Sequence, residues 1–323
     1  MPNNGKLLFG LLLVLTAISY IVIDNKASML DETQQLIPEL QSDINDIDKI
    51  VLDKNDQRIS LYKQSGVWKV NEVDGFFADT NKVANLLLDL RKLTLKEKKT
   101  KNPKNFAKLS LADSGKDAAT FITLYNGELE ISNISIGKEA QRSQGTYVRK
   151  NSENQTWLSE GLFNVKLDAQ SWILKTIIDI DNSAVKSIQF SPINSVRFKI
   201  NKLTPQDTEF IIKNIPENKK IKADANLNYL AGGLKNLTID SAIGLPEMTD
   251  EFLTTKVEYQ LFSGMIYSLE LYNNGEKYQL KISQDNAEAD HIQDKILENW
   301  LFEIPEYKYN ALNVTLSDFV EDV

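Results

Sequence analysis

The chain has 323 residues, 42% hydrophobic and 25% charged. That composition excludes a disordered or fibrous polymer and leaves room for two domains of roughly 100–200 residues. It holds no cysteine and one histidine, which removes disulfides and thiol chemistry and leaves any Ser-His-Asp triad a single candidate base. A formal charge of −8 speaks against a nucleic-acid partner, which asks for a basic stripe.

Leu7–Ile23 reads LLFGLLLVLTAISYIVI, an uncharged run. A bilayer core takes roughly 20 apolar residues as a helix, with a range of about 17–25. The run predicts a transmembrane signal-anchor over 1–24, with Leu7, Leu11, Leu15, Ile18 and Ile23 among its lipid-facing positions. The rival is a cleaved signal peptide, which needs a shorter apolar region and a small-residue cleavage site. Lys6 precedes the run, while Asp24, Lys26, Asp31 and Glu32 follow it. Positive charge stays cytoplasmic, so the expected orientation is N-in, with the body in the periplasm of a bacterial inner membrane.

Residues 25–43 read as a polar linker or short helix. From Ile44 the chain turns β-rich. Arg58–Gln64 alternates Ile59 and Leu61 with polar residues, the period of a half-buried strand. Ser65-Gly66 is a turn, and Val67–Val70 returns. Asp79 can cap a helix carrying Val83, Leu86, Leu87, Leu90 and Leu93 at helical spacing. Lys92–Lys101 is a basic run, read as a solvated strand face ending at Asn102-Pro103 rather than as a phosphate or lipid contact. Asn126-Gly127 is a hairpin turn between Thr120–Tyr125 and Leu129–Ile136. Thr146–Arg149 and Thr156–Leu158 form a further pair, and Ala169–Ile178 reads as helical around Trp172, Ile173 and Ile177.

The second half replays this order. Strands are expected at Val185–Phe190, Ser195–Ile200, Glu209–Asn214, Lys256–Leu261, Ile266–Tyr272 and Lys277–Ser283. ADTNKVANLLLDLRKLTL from Ala78 and ADANLNYLAGGLKNLTI from Ala223 both run from Ala-Asp through an apolar helical face to a Leu-Thr exit. Trp300-Leu301 echoes Trp157-Leu158. The expected fold is therefore α+β: an N-terminal transmembrane helix, then two tandem copies of a β-rich unit with one or two packed helices each, over 44–180 and 181–323. The alternative is one continuous sandwich. Gly232-Gly233 either weakens the second helix or marks close packing.

Gly66–Val70 (GVWKV), the Ala78-Asp79 start with its leucine-rich helix, Ile134–Gly137 (ISIG), Thr146–Arg149 (TYVR) and Trp157-Leu158 form an ordered set. With the N-terminal helix, they resemble the bacterial family catalogued as domain of unknown function 4340. The likeness is strongest over Ile44–Ile180. It implies a membrane-anchored envelope protein, often encoded beside ABC-transporter components of the gliding-motility auxiliary type, and carries no catalytic residues across.

The search for chemistry nominates little. His291 reads as a surface residue. Asp43, Asp46, Asp48 and Asp53, and Asp285, Glu288 and Asp290, are carboxylate groups without the glycine turn and closing Glu of a calcium loop. No phosphate loop or nucleophile elbow is present. No cofactor and no metal is expected. Trp68, Trp157, Trp172 and Trp300 read as core rather than as a glycan groove. Tyr147 and Arg149, alternating with Val148, are the candidate partner-binding pair. The expected function is a non-enzymatic, single-span accessory subunit of an envelope complex. Its partners would be the lipid bilayer and possible ABC-transporter subunits. The alternative is a membrane-anchored hydrolase acting on glycan or peptide.

Overall fold

The computed structural model describes residues 34–140, 143–247, 250–285 and 294–323. The anchor positions Leu7, Leu11, Leu15, Ile18 and Ile23, together with Glu288, Asp290 and His291, lie outside them. Among the described residues no helix is long and apolar enough to cross a membrane.

The body is mostly β, with few helices, in keeping with the β-rich units expected. The first strands are β1 (Lys49–Lys54), β2 (Gln57–Gln64), β3 (Val67–Val70), β4 (Phe76–Phe77), β5 (Leu95–Lys98), β6 (Thr120–Asn126), β7 (Leu129–Ala140), β8 (Gly145–Lys150) and β9 (Thr156–Ser159). They order as β4-β3-β2-β1-β6-β7-β8-β9-β5. After β10 (Thr176–Ile178) come β11 (Val185–Pro192), β12 (Phe198–Asn201), β13 (Ile211–Lys213), β14 (Lys219–Ile221), β15 (Leu237–Thr238) and β16 (Ser241–Gly244). The last are β17 (Leu253–Leu261), β18 (Ile266–Asn273), β19 (Tyr278–Asp285), β20 (Trp300–Glu303) and β21 (Val320–Asp322). The second large sheet runs β13-β12-β11-β17-β18-β19-β20-β16. Set against β3-β2-β1-β6-β7-β8-β9-β5, it matches the first strand for strand. β10–β15 and β14–β21 are small separate pairs.

Contacts divide the chain into two compact units. One gathers the described residues up to Ser60 with Asn81–Leu167; the other gathers Leu61–Thr80 with Asp168–Val323. In the first, the helix Thr80–Lys92 buries Val83, Leu86, Leu87 and Leu90, the apolar stripe read from the sequence. The sheet face that includes Ile50, Leu52, Ile122, Leu124, Ile134, Ile136 and Val148 is buried as well. From Gln34 onward the expected linker belongs to this unit: Leu36, Ile37 and Leu40 are fully buried, and the Leu36 N–H donates to Leu93 O at 2.8 Å. Burying three large aliphatics is worth several kcal/mol, enough to hold this stretch against the unit.

In the second unit Ile188, Phe190, Ile200, Val257, Tyr259, Leu269, Leu271, Leu280, Ile282 and Phe302 fill the core. Phe76 enters it and meets Trp300 edge-on at 4.8 Å. The helix expected over Ala169–Ile178 does not form. A single 3-10 turn at Ala169–Ser171 leads to β10. Between them, Leu174 N–H donates to Phe77 O at 2.9 Å and Asp79 N–H to Trp172 O at 2.7 Å. Tertiary pairing overrides the spacing of Trp172, Ile173 and Ile177, and the β-branched run Thr176-Ile177-Ile178 suits a strand. The helix expected after Asp224 is a 3-10 stretch, Asn228–Leu234. Asn226, not Asp224, accepts the Asn228 N–H at 3.1 Å.

Candidate functional site

Tyr147 and Arg149 lie on the first sheet's other face, which is polar. Cross-strand register aligns Phe121, Ser135, Arg149 and Thr156 in one row. The segment after the basic run folds over this row. Asn102 accepts the Lys104 N–H at 3.1 Å and starts the 3-10 helix Pro103–Leu109. Ser110 reverses the chain at φ 55°. Phe106, Leu111 and Ala119 form a small core against which Tyr147 and Phe121 pack.

Arg149 is therefore buried, at 7% exposure, rather than presented to a partner. Its guanidinium stacks over the Phe106 ring at 4.9 Å and pairs with Asp113 at 3.5 Å. It also donates to Glu153 O at 3.4 Å and to Ser135 Oγ at 3.5 Å. Burial lowers its pKa and the Asp113 charge raises it; an arginine remains a cation through such a shift. Gly137 of the ISIG run completes the arrangement, since a Cβ there would collide with the Leu109 carbonyl oxygen. The two motifs thus hold one covering segment onto the sheet. Beyond Ser135 the polar string continues through Asn151 to Asn133, side chain to side chain. It opens into a groove of about 510 Å³ with Glu39, Glu130, Lys150 and Glu153 on its walls.

The second unit exposes a charged face that the sequence does not reveal. Ser191, Lys256, Glu270 and Lys281 align across β11, β17, β18 and β19. Glu270 takes Lys256 at 2.6 Å, Lys281 at 3.3 Å and the Tyr272 hydroxyl at 3.0 Å. Burial raises the Glu270 pKa, but the bonds from Lys256 and Tyr272 and the nearby lysine charges outweigh it and hold the carboxyl below its usual range. Arg197, Gln189, Ser191, Glu258 and Lys256 share a groove of about 290 Å³ with Glu270. The pairing follows from the cross-strand register, which no single strand carries.

The remaining candidates are placed as follows. Asp48 accepts the Gly127 N–H at 2.9 Å and so braces the β6–β7 turn. Asp53 faces Arg58 at 3.6 Å. Among the described residues no cluster of His, Cys, Asp and Glu could hold a metal. Trp68, Trp172 and Trp300 are buried; Trp157 is half-buried under Lys98.

Two large antiparallel sheets define a mostly β protein. The sequence profile of the family described as Domain of unknown function (DUF4340) matches residues 68–261, more than half of the chain, and the protein belongs to that family. The match starts at Trp68 of the GVWKV motif and runs past Ile180 to Leu261, well into the half where the motif resemblance had faded. No curated protein and no solved structure matches the chain.

Proposed function

We propose that this protein is a single-span envelope protein, N-in with its body in the periplasm, acting as a non-enzymatic accessory subunit of an ABC-type transport or export complex. The observation that carries the reading is the uncharged run Leu7–Ile23 ahead of a body of two large antiparallel sheets. A tether confines such a body near the membrane and raises its effective concentration for a neighbouring complex, so modest contacts suffice. The family resemblance supports the choice of company. Sheet faces and edges offer polymer or protein contacts without a reaction centre.

The test is in-cell crosslinking of the full-length protein, then mass spectrometry of the solubilised complex. Transporter subunits recovered with the native anchor, and lost when Leu7–Ile23 is replaced by a cleavable signal, are the expected result. A protein recovered alone in both forms overturns the reading.

A further inference from the structure

In a chain of net charge −8, seven lysines fall between Lys92 and Lys108 against one acid, Glu97. All seven are exposed. They follow one margin of the first unit, from the end of the helix Thr80–Lys92, along the edge strand β5, onto the covering segment Pro103–Leu109. Lys99 pairs with Glu97 at 2.7 Å, and Lys108 donates to the neutral Asn105 at 2.9 Å. Among the described residues no ion pair engages Lys92, Lys96, Lys98, Lys101, Lys104 or Lys108. A second acid, Glu160, touches the margin through Thr94 Oγ1 at 3.3 Å. Glu97 and Glu160 together leave the margin strongly positive.

A lysine run alone reads as a solvated face. What sets this one apart is where the chain joins the unit. Leu95 N–H donates to Gln34 O at 2.7 Å, Leu36 N–H donates to Leu93 O at 2.8 Å, and Gln35 pairs antiparallel with Thr94 between them. The chain therefore enters the unit at the Leu95 end of this pairing, next to Lys96. The buried Leu36, Ile37 and Leu40 fix that entry point. Upstream, ten residues separate Gln34 from the uncharged run that ends at Ile23. Ten residues reach at most about 35 Å when extended. Attachment at β5 thus holds the basic margin within reach of a bilayer that takes the run. The acids of the connecting stretch, Asp24, Asp31 and Glu32, are partly offset by Lys26 and are too few to neutralise the margin.

We infer that the Lys92–Lys108 margin rests on the anionic phospholipid surface of the membrane that holds the anchor, so that the first unit stands on the bilayer by its β5 edge instead of hanging free on its tether. The inference rests on the single-span reading and gives the body a membrane contact of its own. Lysines near an anionic bilayer are each attracted to it, within about a Debye length, ~8 Å at physiological salt. The tether holds the margin at high effective concentration beside the lipid, so individually weak attractions suffice.

The chain has no cysteine, so Ala107→Cys, at an exposed position of the covering segment, carries a single donor dye. The labelled full-length protein is placed in nanodiscs of phosphatidylcholine, with or without phosphatidylglycerol, that contain an acceptor-labelled lipid. Energy transfer should be higher in the phosphatidylglycerol discs and should fall to the neutral-disc value in high salt. The combined variant Lys92→Gln, Lys96→Gln, Lys101→Gln and Lys104→Gln should lose the rise while melting with the wild type. Arginine at the same positions should keep it. Equal transfer in the two lipids, a rise that survives high salt or the glutamine variant, or a rise lost with arginine each overturns the proposal. If transfer ignores lipid charge while the protein stays in the discs and the crosslinked transporter complex persists, the lipid contact falls and the accessory reading stands. A response to lipid charge without a recovered complex means the opposite, and a protein that does not enter the discs overturns both.

Discussion

Gly233 carries a packing constraint that its neighbour Gly232 does not. A Cβ at Gly233 would collide with the Tyr259 hydroxyl and come within 2.7 Å of Leu312, whereas Gly232 has its nearest atom at 3.8 Å. Tyr259 is fully buried and donates to Leu230 O at 2.9 Å; burial raises its pKa, so it stays a donor. Gly233→Ala should therefore destabilise the protein by about 1–3 kcal/mol in urea unfolding. Gly232→Ala should be neutral or slightly stabilising. Equal effects would contradict this packing. Glu270 makes a pH prediction. Its pKa is lower folded than unfolded, so its contribution is present above the ordinary carboxylate pKa and is lost as pH falls through the folded value. Glu270→Gln should cost stability at neutral pH, and the gap to wild type should close below about pH 4 in melts across pH. At this scale the sequence marked TYVR and the glycine pair but misjudged Arg149. Its cover arrives from Phe106, 43 positions away in the chain, and no local pattern announces that contact.

Among elements, legibility followed locality. The β2–β3 turn at Ser65-Gly66 and the helix Thr80–Lys92 were readable because turn chemistry and apolar period lie within a few residues; the β6–β7 hairpin was readable too, but its turn is Gly127-Glu128, one position on from the expected Asn126-Gly127, because Asn126 still pairs with Leu129. Ala169–Ile178 was not, because its backbone partners are Phe77 and Asp79. The Asn228–Leu234 stretch kept its buried leucines but tightened to 3-10 winding, with Gly233 set against Tyr259. The covering segment Pro103–Leu109 gives a test at this scale. Gly137→Ala forces it off the sheet at Leu109, so amide exchange over Phe106–Leu111 should accelerate while the helix Thr80–Lys92 stays protected. Uniform acceleration across the first unit would mean that the segment is no separate cover.

For the whole molecule, the replayed strand order in the sequence has its counterpart in two sheets of the same order. What the sequence could not supply is which edges the chain closes for itself, since Gln34, Asp74 and Leu174 reach those edges from distant positions. The function proposed for this fold depends on where the body is held. The most direct measurement is protease accessibility in spheroplasts of a full-length protein tagged at both ends. The account predicts a membrane-bound protein whose N-terminal tag is protected while the body and C-terminal tag are digested from outside. A protected body, or a body released into the soluble periplasmic fraction, would contradict it.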